Sequence, residues 1–301
     1  MVTIMEHSYL KRLPQWYTNN ETEYDLVLSD DLDGLVATAA IKSANTDWHV
    51  NYFYDFDGLY ICKKIQNKKN KSATRVWTDI AYIGNEMTFD NHVTLASAQD
   101  SYNRLSINPN IFGDKTVSNE NYYDKYCGST ALMVWSIYNL PLPESELGKM
   151  LLLAIDSTFK GYYAAAKWHD LNKHFIIDVF GFEDLYAVQQ RHTEKEFLQL
   201  AGQYQINRKI YMNNGKIKSE LDIALLSELL GIDLSLPLDD FINFAKFEST
   251  TKESSYTGRY IKNMSTDNIL TAAFTGKNKI KYSILKSINP VFDKRKNGVS
   301  V

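Results

Sequence analysis

Ser29-Asp30-Asp31-Leu32-Asp33-Gly34-Leu35 crowds its carboxylates between the apolar run Leu26-Val27-Leu28 and the helix-forming stretch Val36-Ala37-Thr38-Ala39-Ala40-Ile41. Carboxylates held this close repel one another, so a positive group belongs among them, either a metal ion or a basic side chain. If Leu26–Leu28 is a parallel strand, Asp31 and Asp33 stand at its C-terminal end, where open α/β sheets bind their ligands. An Asp capping a helix beside a turn glycine explains the same residues.

Similar chemistry recurs down the chain. Arg75-Val76-Trp77-Thr78 reads as a strand closing on Asp79, and Glu86-Met87-Thr88-Phe89 as one closing on Asp90-Asn91-His92. Gly128-Ser129-Thr130 opens the apolar helical run Ala131–Tyr138. Such a helix start offers N–H groups and hydroxyls to an anion, or caps itself with its own Ser or Thr. Leu147–Thr158 reads as an apolar helix with Asp156 near its end. Carboxylates gathered at one edge of a sheet form a constellation that capping alone does not produce.

The elements that position them follow from hydrophobic patterning. Strands are expected at Tyr24–Leu28, His49–Tyr54, Arg75–Ile80 and Glu86–Asp90, with helices at Gly34–Ser43 and Gly58–Ile65. Strands alternating with helices predict a parallel sheet. From Asp178 to Glu228 the pattern turns helical and amphipathic, interrupted by a hairpin around Asn213-Asn214-Gly215. A helix at Glu220–Leu230, a strand at Phe241–Phe247, a polar loop at Glu248–Gly258 and strands at Arg259–Asn263 and Lys279–Leu285 complete the reading. The fold class expected is α/β: a parallel-sheet domain over residues 1–165 with helices on both faces, a helical linker over 166–204, and a smaller α+β domain over 205–301.

Composition narrows the function. The chain has 301 residues, room for two domains, and a formal net charge of −3, which gives no global mark of a nucleic-acid binder. Basic runs at Lys63–Lys71 and Lys277–Lys296 are local, and the first reads as a solvated helix end. Cys62 and Cys127 lie far apart, which fits a reducing compartment and argues against a thiolate zinc site. With no apolar run near the roughly 20 residues of a membrane span and no signal-peptide core, a cytoplasmic protein without membrane contact is expected.

In order, Asp31-x-Asp33-Gly34, Asp79, Asp90-Asn91-His92, Gly128-Ser129-Thr130 and Asp156 resemble the motifs of the DHH phosphoesterase superfamily, over about residues 24–160. That superfamily includes RecJ-type exonucleases, nanoRNases, cyclic-dinucleotide phosphodiesterases and manganese pyrophosphatases. Ser29–Thr38 is close to the nanoRNase and cyclic-nucleotide phosphodiesterase form, and does not match the pyrophosphatase first motif. The resemblance implies hydrolysis of phosphodiester bonds in short oligonucleotides, cyclic nucleotides or single-stranded nucleic acid, through water activated by two Mn²⁺ or Mg²⁺ ions. Asp31 and Asp33 would each serve one ion, Asp79 would bridge both, and Asp156 would complete the second site. His92 would contact the phosphate or leaving group, Asp90 would orient its neighbours, and Gly128, Ser129 and Thr130 would line the phosphate pocket. The C-terminal region would bind substrate, with Arg259 as a phosphate contact, and a homodimer is compatible with the pattern. The GGGH-like signature common in that region is not found.

Two positions depart from the pattern. Ser29 stands where the family carries His or Asp, and Asn91 replaces the first His of the signature, leaving its carbonyl as a weaker metal ligand. These departures support a second reading, a nucleotide- or nucleic-acid-binding protein with weakened catalysis. The modest net charge favours a small substrate over long DNA. His169 and His174, which follow Asp156, are candidate compensating ligands, and Tyr162 and Tyr163 candidate base-stacking residues.

Overall fold

Leu26 and Leu28 of β1 (Asp25–Leu28) join the largest apolar core, whereas Val27 between them joins a second core on the opposite side. Burial on both faces is what an uninterrupted apolar strand demands. The computed structural model describes residues 5–19, 22–66, 74–253 and 268–292. After a short helix α1 (His7–Leu10), β1 leads into α2 (Leu32–Ala44), then β2 (His49–Tyr54) and β3 (Gly58–Cys62). Next come β4 (Arg75–Thr78), β5 (Met87–Phe89), the two-residue β6 (Ser106–Ile107) and α3 (Pro109–Phe112). Helices α4 (Thr130–Ile137), α5 (Glu146–Ala154), α6 (Ala166–Lys173), α7 (Glu183–Arg191) and α8 (Glu194–Gln203) follow. The chain ends in β7 (Ile210–Asn213), β8 (Lys216–Ser219), α9 (Ile223–Leu230), β9 (Phe241–Glu253), β10 (Ile269–Gly276) and β11 (Lys279–Ile288).

Among the described residues, one sheet holds nine strands in the order β10-β11-β9-β3-β2-β1-β4-β5-β6, and β7-β8 form a separate hairpin. β2, β1, β4, β5 and β6 run parallel, so the expected parallel sheet is present. From β1 the chain goes out to β2 on one side and returns to β4 on the other. The strand order therefore reverses between β1 and β4, and open α/β sheets bind their ligands at the C-terminal ends of strands at such a point. Helix α2 lies on the Leu26/Leu28 face and is buried from Leu32 to Ile41, with α4 packed against it. Small side chains at Ala37, Ala39 and Ala40 permit that close packing, and a buried hydrogen bond joins Thr38 Oγ1 to Thr78 Oγ1 at 2.9 Å.

Several expectations are corrected. Gly58–Ile65 was expected as a helix; Gly58–Cys62 is a strand, antiparallel to β2. Its GLYIC run is buried on both faces, and such a run has no periodicity to distinguish strand from helix. Asp55 Oδ1 sets the preceding turn by accepting from the Gly58 N–H at 2.7 Å. The loop expected at Glu248–Gly258 is strand as far as Glu253, paired through Lys279–Ile284 of β11. The remaining loop residues and the expected strand at Arg259–Asn263 lie outside the described residues, while β10 was not anticipated. The hairpin at Asn214-Gly215 is present, with both residues at positive φ as a tight type I′ turn requires.

The larger correction concerns the C-terminal region. β9 pairs with β3 over Gly58–Cys62, so the late strands continue the N-terminal sheet and form no separate one. Beyond β9 the sheet curls, and β10 bridges back to the loops after β4 and β5 through Thr271–Tyr82 and Phe274–Val93. The sheet face carrying Val27 and Trp77 is accordingly covered by Ala245, Phe247 and Leu285 of the late strands, where helices had been expected. No helix among the described residues is long and apolar enough to cross a membrane.

Candidate metal centre

Asp79 and Asp90 directly follow β4 and β5, Asp31 is the third residue after β1, and Asn108 directly follows β6. Every parallel strand on this side of the reversal thus delivers a polar side chain to one edge of the sheet. Asp79 sits at φ 57°, a left-handed conformation that a non-glycine residue holds only when its surroundings demand it. Its N–H donates to the Phe89 carbonyl at 2.8 Å, and its Oδ1 accepts from the Thr130 hydroxyl at 2.8 Å. Asp156 is likewise left-handed, at φ 47°, in a tight turn that closes α5.

The ligand atoms of Asp79, Asp90 and His92 all lie within 4.8 Å of one another, the one such group of three among the described residues. Asp90 is 1% exposed. Its Oδ1 lies 2.6 Å from His92 Nδ1, and its Oδ2 accepts from Asn108 Nδ2 at 3.0 Å. Asp90 therefore orients His92, and where it was expected to orient rather than bind metal it also belongs to the group that could hold an ion. With Nδ1 engaged by a carboxylate, the second ring nitrogen of His92 keeps its lone pair for a ligand. Asn108 and Asn110 fix the loop from behind: Asn108 Nδ2 also donates to the His92 carbonyl at 2.8 Å, and Asn110 Nδ2 to the Asn91 carbonyl at 2.6 Å.

Asp33 is buried against the first turn of α4, with Oδ2 accepting from Thr130 N–H at 2.9 Å and Oδ1 from Ala131 N–H at 2.7 Å. The helix N-terminus foreseen as an anion site thus receives an anion of the protein itself. Ser129 caps α4 by accepting from Leu132 N–H at 3.0 Å, and both Ser129 and Thr130 are fully buried. Their hydroxyls hold the helix and Asp79 in place. The Gly128 carbonyl accepts from Asn91 Nδ2 at 2.6 Å, and the same amide reaches Asp156 Oδ2 at 3.4 Å. Asn91 is a strut between that turn and Asp156.

Asp31 caps α2 through Oδ1, which accepts from Gly34 N–H at 3.2 Å. Its Oδ2 lies 3.1 Å from Lys209 Nζ, which also contacts Asp30 Oδ1 at 3.1 Å. Lys209 was not foreseen as a site residue. Ser29, at the base of the cluster, is 1% exposed and its hydroxyl has no hydrogen-bond partner. It packs against Gly34, where a side chain would meet Ser29 Oγ at 1.7 Å.

Electrostatics follow from this crowding. Burial, then Asp156 and Asp31, push Asp33 well above the usual carboxylate range. Burial, then Asp33, Asp31, Asp156 and Asp90, do the same to Asp79. Asp156 is exposed at the mouth, but desolvation by the surrounding protein still raises it, against the pull of His92. Burial alone would lower His92; Asp90, by charge and hydrogen bond, and Asp156 outweigh it and raise the imidazole. A divalent cation relieves this repulsion, and a set of carboxylates with one imidazole fits a hard metal ion.

Other candidates fall elsewhere. His169 contacts the Tyr162 carbonyl and Tyr186 hydroxyl, and His174 contacts Asp114 and Asp178. Tyr163 donates to the His192 carbonyl at 2.8 Å, and Tyr162 packs against Tyr163, His169 and Tyr186. Arg259 lies outside the described residues. Comparison with protein-family models, curated proteins and solved structures returns no match to this chain.

Proposed function

We propose that this protein is a metal-dependent phosphodiesterase of the DHH type, acting on short oligonucleotides, cyclic nucleotides or single-stranded nucleic acid. The observation that carries the reading is the convergence of Asp79, Asp90 and His92 at the C-terminal edge of the parallel strands, beside the point where strand order reverses. Carboxylate oxygens suit Mn²⁺ or Mg²⁺, and the imidazole favours Mn²⁺ of the two. Such an ion would polarise a phosphate oxygen and lower the pKa of a bound water.

The chain's own groups supply the rest. Thr130 fixes the Asp79 carboxylate, and Asp90 fixes the His92 ring, so neither reorganises during reaction. His92, with its side chain 37% exposed, faces the opening. Water attack forms one P–O bond and breaks another; the attacking water's proton passes to a carboxylate of the cluster, and the departing oxygen takes a proton from solvent water, with His92 held neutral beside the ion. A nucleotide-binding protein with weakened catalysis is the second reading, favoured by the unpartnered Ser29 hydroxyl and by Asn91 serving as a strut.

Purified protein with Mn²⁺ is incubated with dinucleotides, cyclic mono- and dinucleotides and 5′-labelled single-stranded DNA, beside Asp79→Ala. Hydrolysis by the wild type that disappears in Asp79→Ala is expected. Nucleotide binding without turnover, unchanged in the variant, would establish the second reading instead.

A further inference from the structure

We infer that the acidic cluster holds one divalent ion and that the Lys209 ammonium takes the place of a second. This rests on the metal-dependent reading above and specifies it. On the β1 side, Asp31 and Asp33 already have both oxygens engaged. Asp31 accepts from Gly34 N–H and from Lys209, and Asp33 accepts from the N–H groups of Thr130 and Ala131. On the β4–β5 side Asp90 also has both oxygens engaged, but by the neutral amide of Asn108 and by His92, and among the described residues no ammonium contacts Asp79 or Asp90, whose ligand atoms and that of His92 lie within 4.8 Å of one another.

The ammonium is delivered by a fixed backbone. Ile210 N–H, next in sequence, donates to the Asp30 carbonyl at 2.7 Å, and Ser219 Oγ donates to the Lys209 carbonyl at 3.0 Å. The β7–β8 hairpin is thereby pinned to the end of β1, and Lys209 Nζ comes to rest 3.1 Å from both Asp30 and Asp31. A divalent cation bound to Asp31 in the same place would meet a like charge at contact distance, and the two would repel. An ammonium has three donors; two serve the aspartates, and the third remains for a substrate phosphate oxygen.

Metal-stripped full-length protein is titrated with MnCl₂ alone by calorimetry, with electron paramagnetic resonance to detect spin-coupled ion pairs, for the wild type, Lys209→Ala and Lys209→Met. The expected result is one ion per chain in the wild type and two, spin-coupled, in both variants. Two ions in the wild type would overturn the inference and leave the metal-dependent reading intact. One ion in the wild type and in both variants would show that Lys209 does not exclude the second ion, again overturning the inference alone. No ion in the wild type would remove the metal-dependent reading and the inference together.

Discussion

Asp31 and Asp79 follow neighbouring parallel strands, β1 and β4, and face the same crevice, yet their carboxylates keep different company. Asp31 caps a helix and is neutralised by Lys209, whereas Asp79 receives one hydroxyl and otherwise faces Asp90, Asp33 and Asp156. Asp31 shares an ammonium of the chain with Asp30, whereas among the described residues no ammonium contacts Asp79. Position at a strand end places an acidic residue in the crevice, but what else reaches it decides whether it is structural or functional.

The sharpest way to break this contrast is to remove one acid from each side. Asp90→Ala deletes a group of the proposed metal set and the partner of His92, and is expected to weaken Mn²⁺ binding by about 100-fold or more. Asp31→Ala is expected to keep Mn²⁺ affinity within about tenfold, since only one screened charge is lost, while destabilising the fold by about 1 kcal/mol through its cap. Calorimetric titration and thermal melts of both variants check the pair.

Acidity tests the crowding that both sides share. Asp33 and Asp79 have folded-state pKa values raised above those of the unfolded chain. Their contribution is fully present below the unfolded value of about 4 and is lost as pH rises through the raised range. Metal-free protein should therefore melt at lower temperature as pH rises through that range, and Mn²⁺ should remove the trend by binding the ionised carboxylates. Melts that are independent of pH and unaffected by Mn²⁺ would contradict it.

Smaller effects are expected at the supports. Thr130→Val removes the hydroxyl held by Asp79 and should cost about 1–3 kcal/mol of stability, measured by urea unfolding. The smallest effect belongs to the Lys209 pair, whose partly exposed charges should contribute no more than about 1 kcal/mol to global stability in the same assay. That loss should shrink with added salt.

Much of this arrangement was legible in the residues themselves. A strand ending in Asp carries its meaning locally, and Asp79, Asp90 and the helix start at Thr130 fall where patterning put them. Lys209 was missed because its contact with Asp30 spans 179 residues, and the hairpin that delivers it says nothing local about its destination. Asn108-Pro109-Asn110 was missed because β6 has two residues, too short to pattern; a polar pair around a proline was the available signal. The continuation of the sheet from β3 into β9 depends on register between distant segments, and a run buried on both faces does not reveal its partner. The acids were readable, and their neutralising partner was not.

The central claim concerns where an ion sits. A crystal of the full chain grown with Mn²⁺ and measured at an X-ray energy above the manganese absorption edge would locate it directly. An anomalous peak bounded by Asp79, Asp90 and His92, with Lys209 still against Asp31, is the predicted result. No peak at that position, or a peak held by Asp31 and Asp33 with Lys209 displaced, would contradict it.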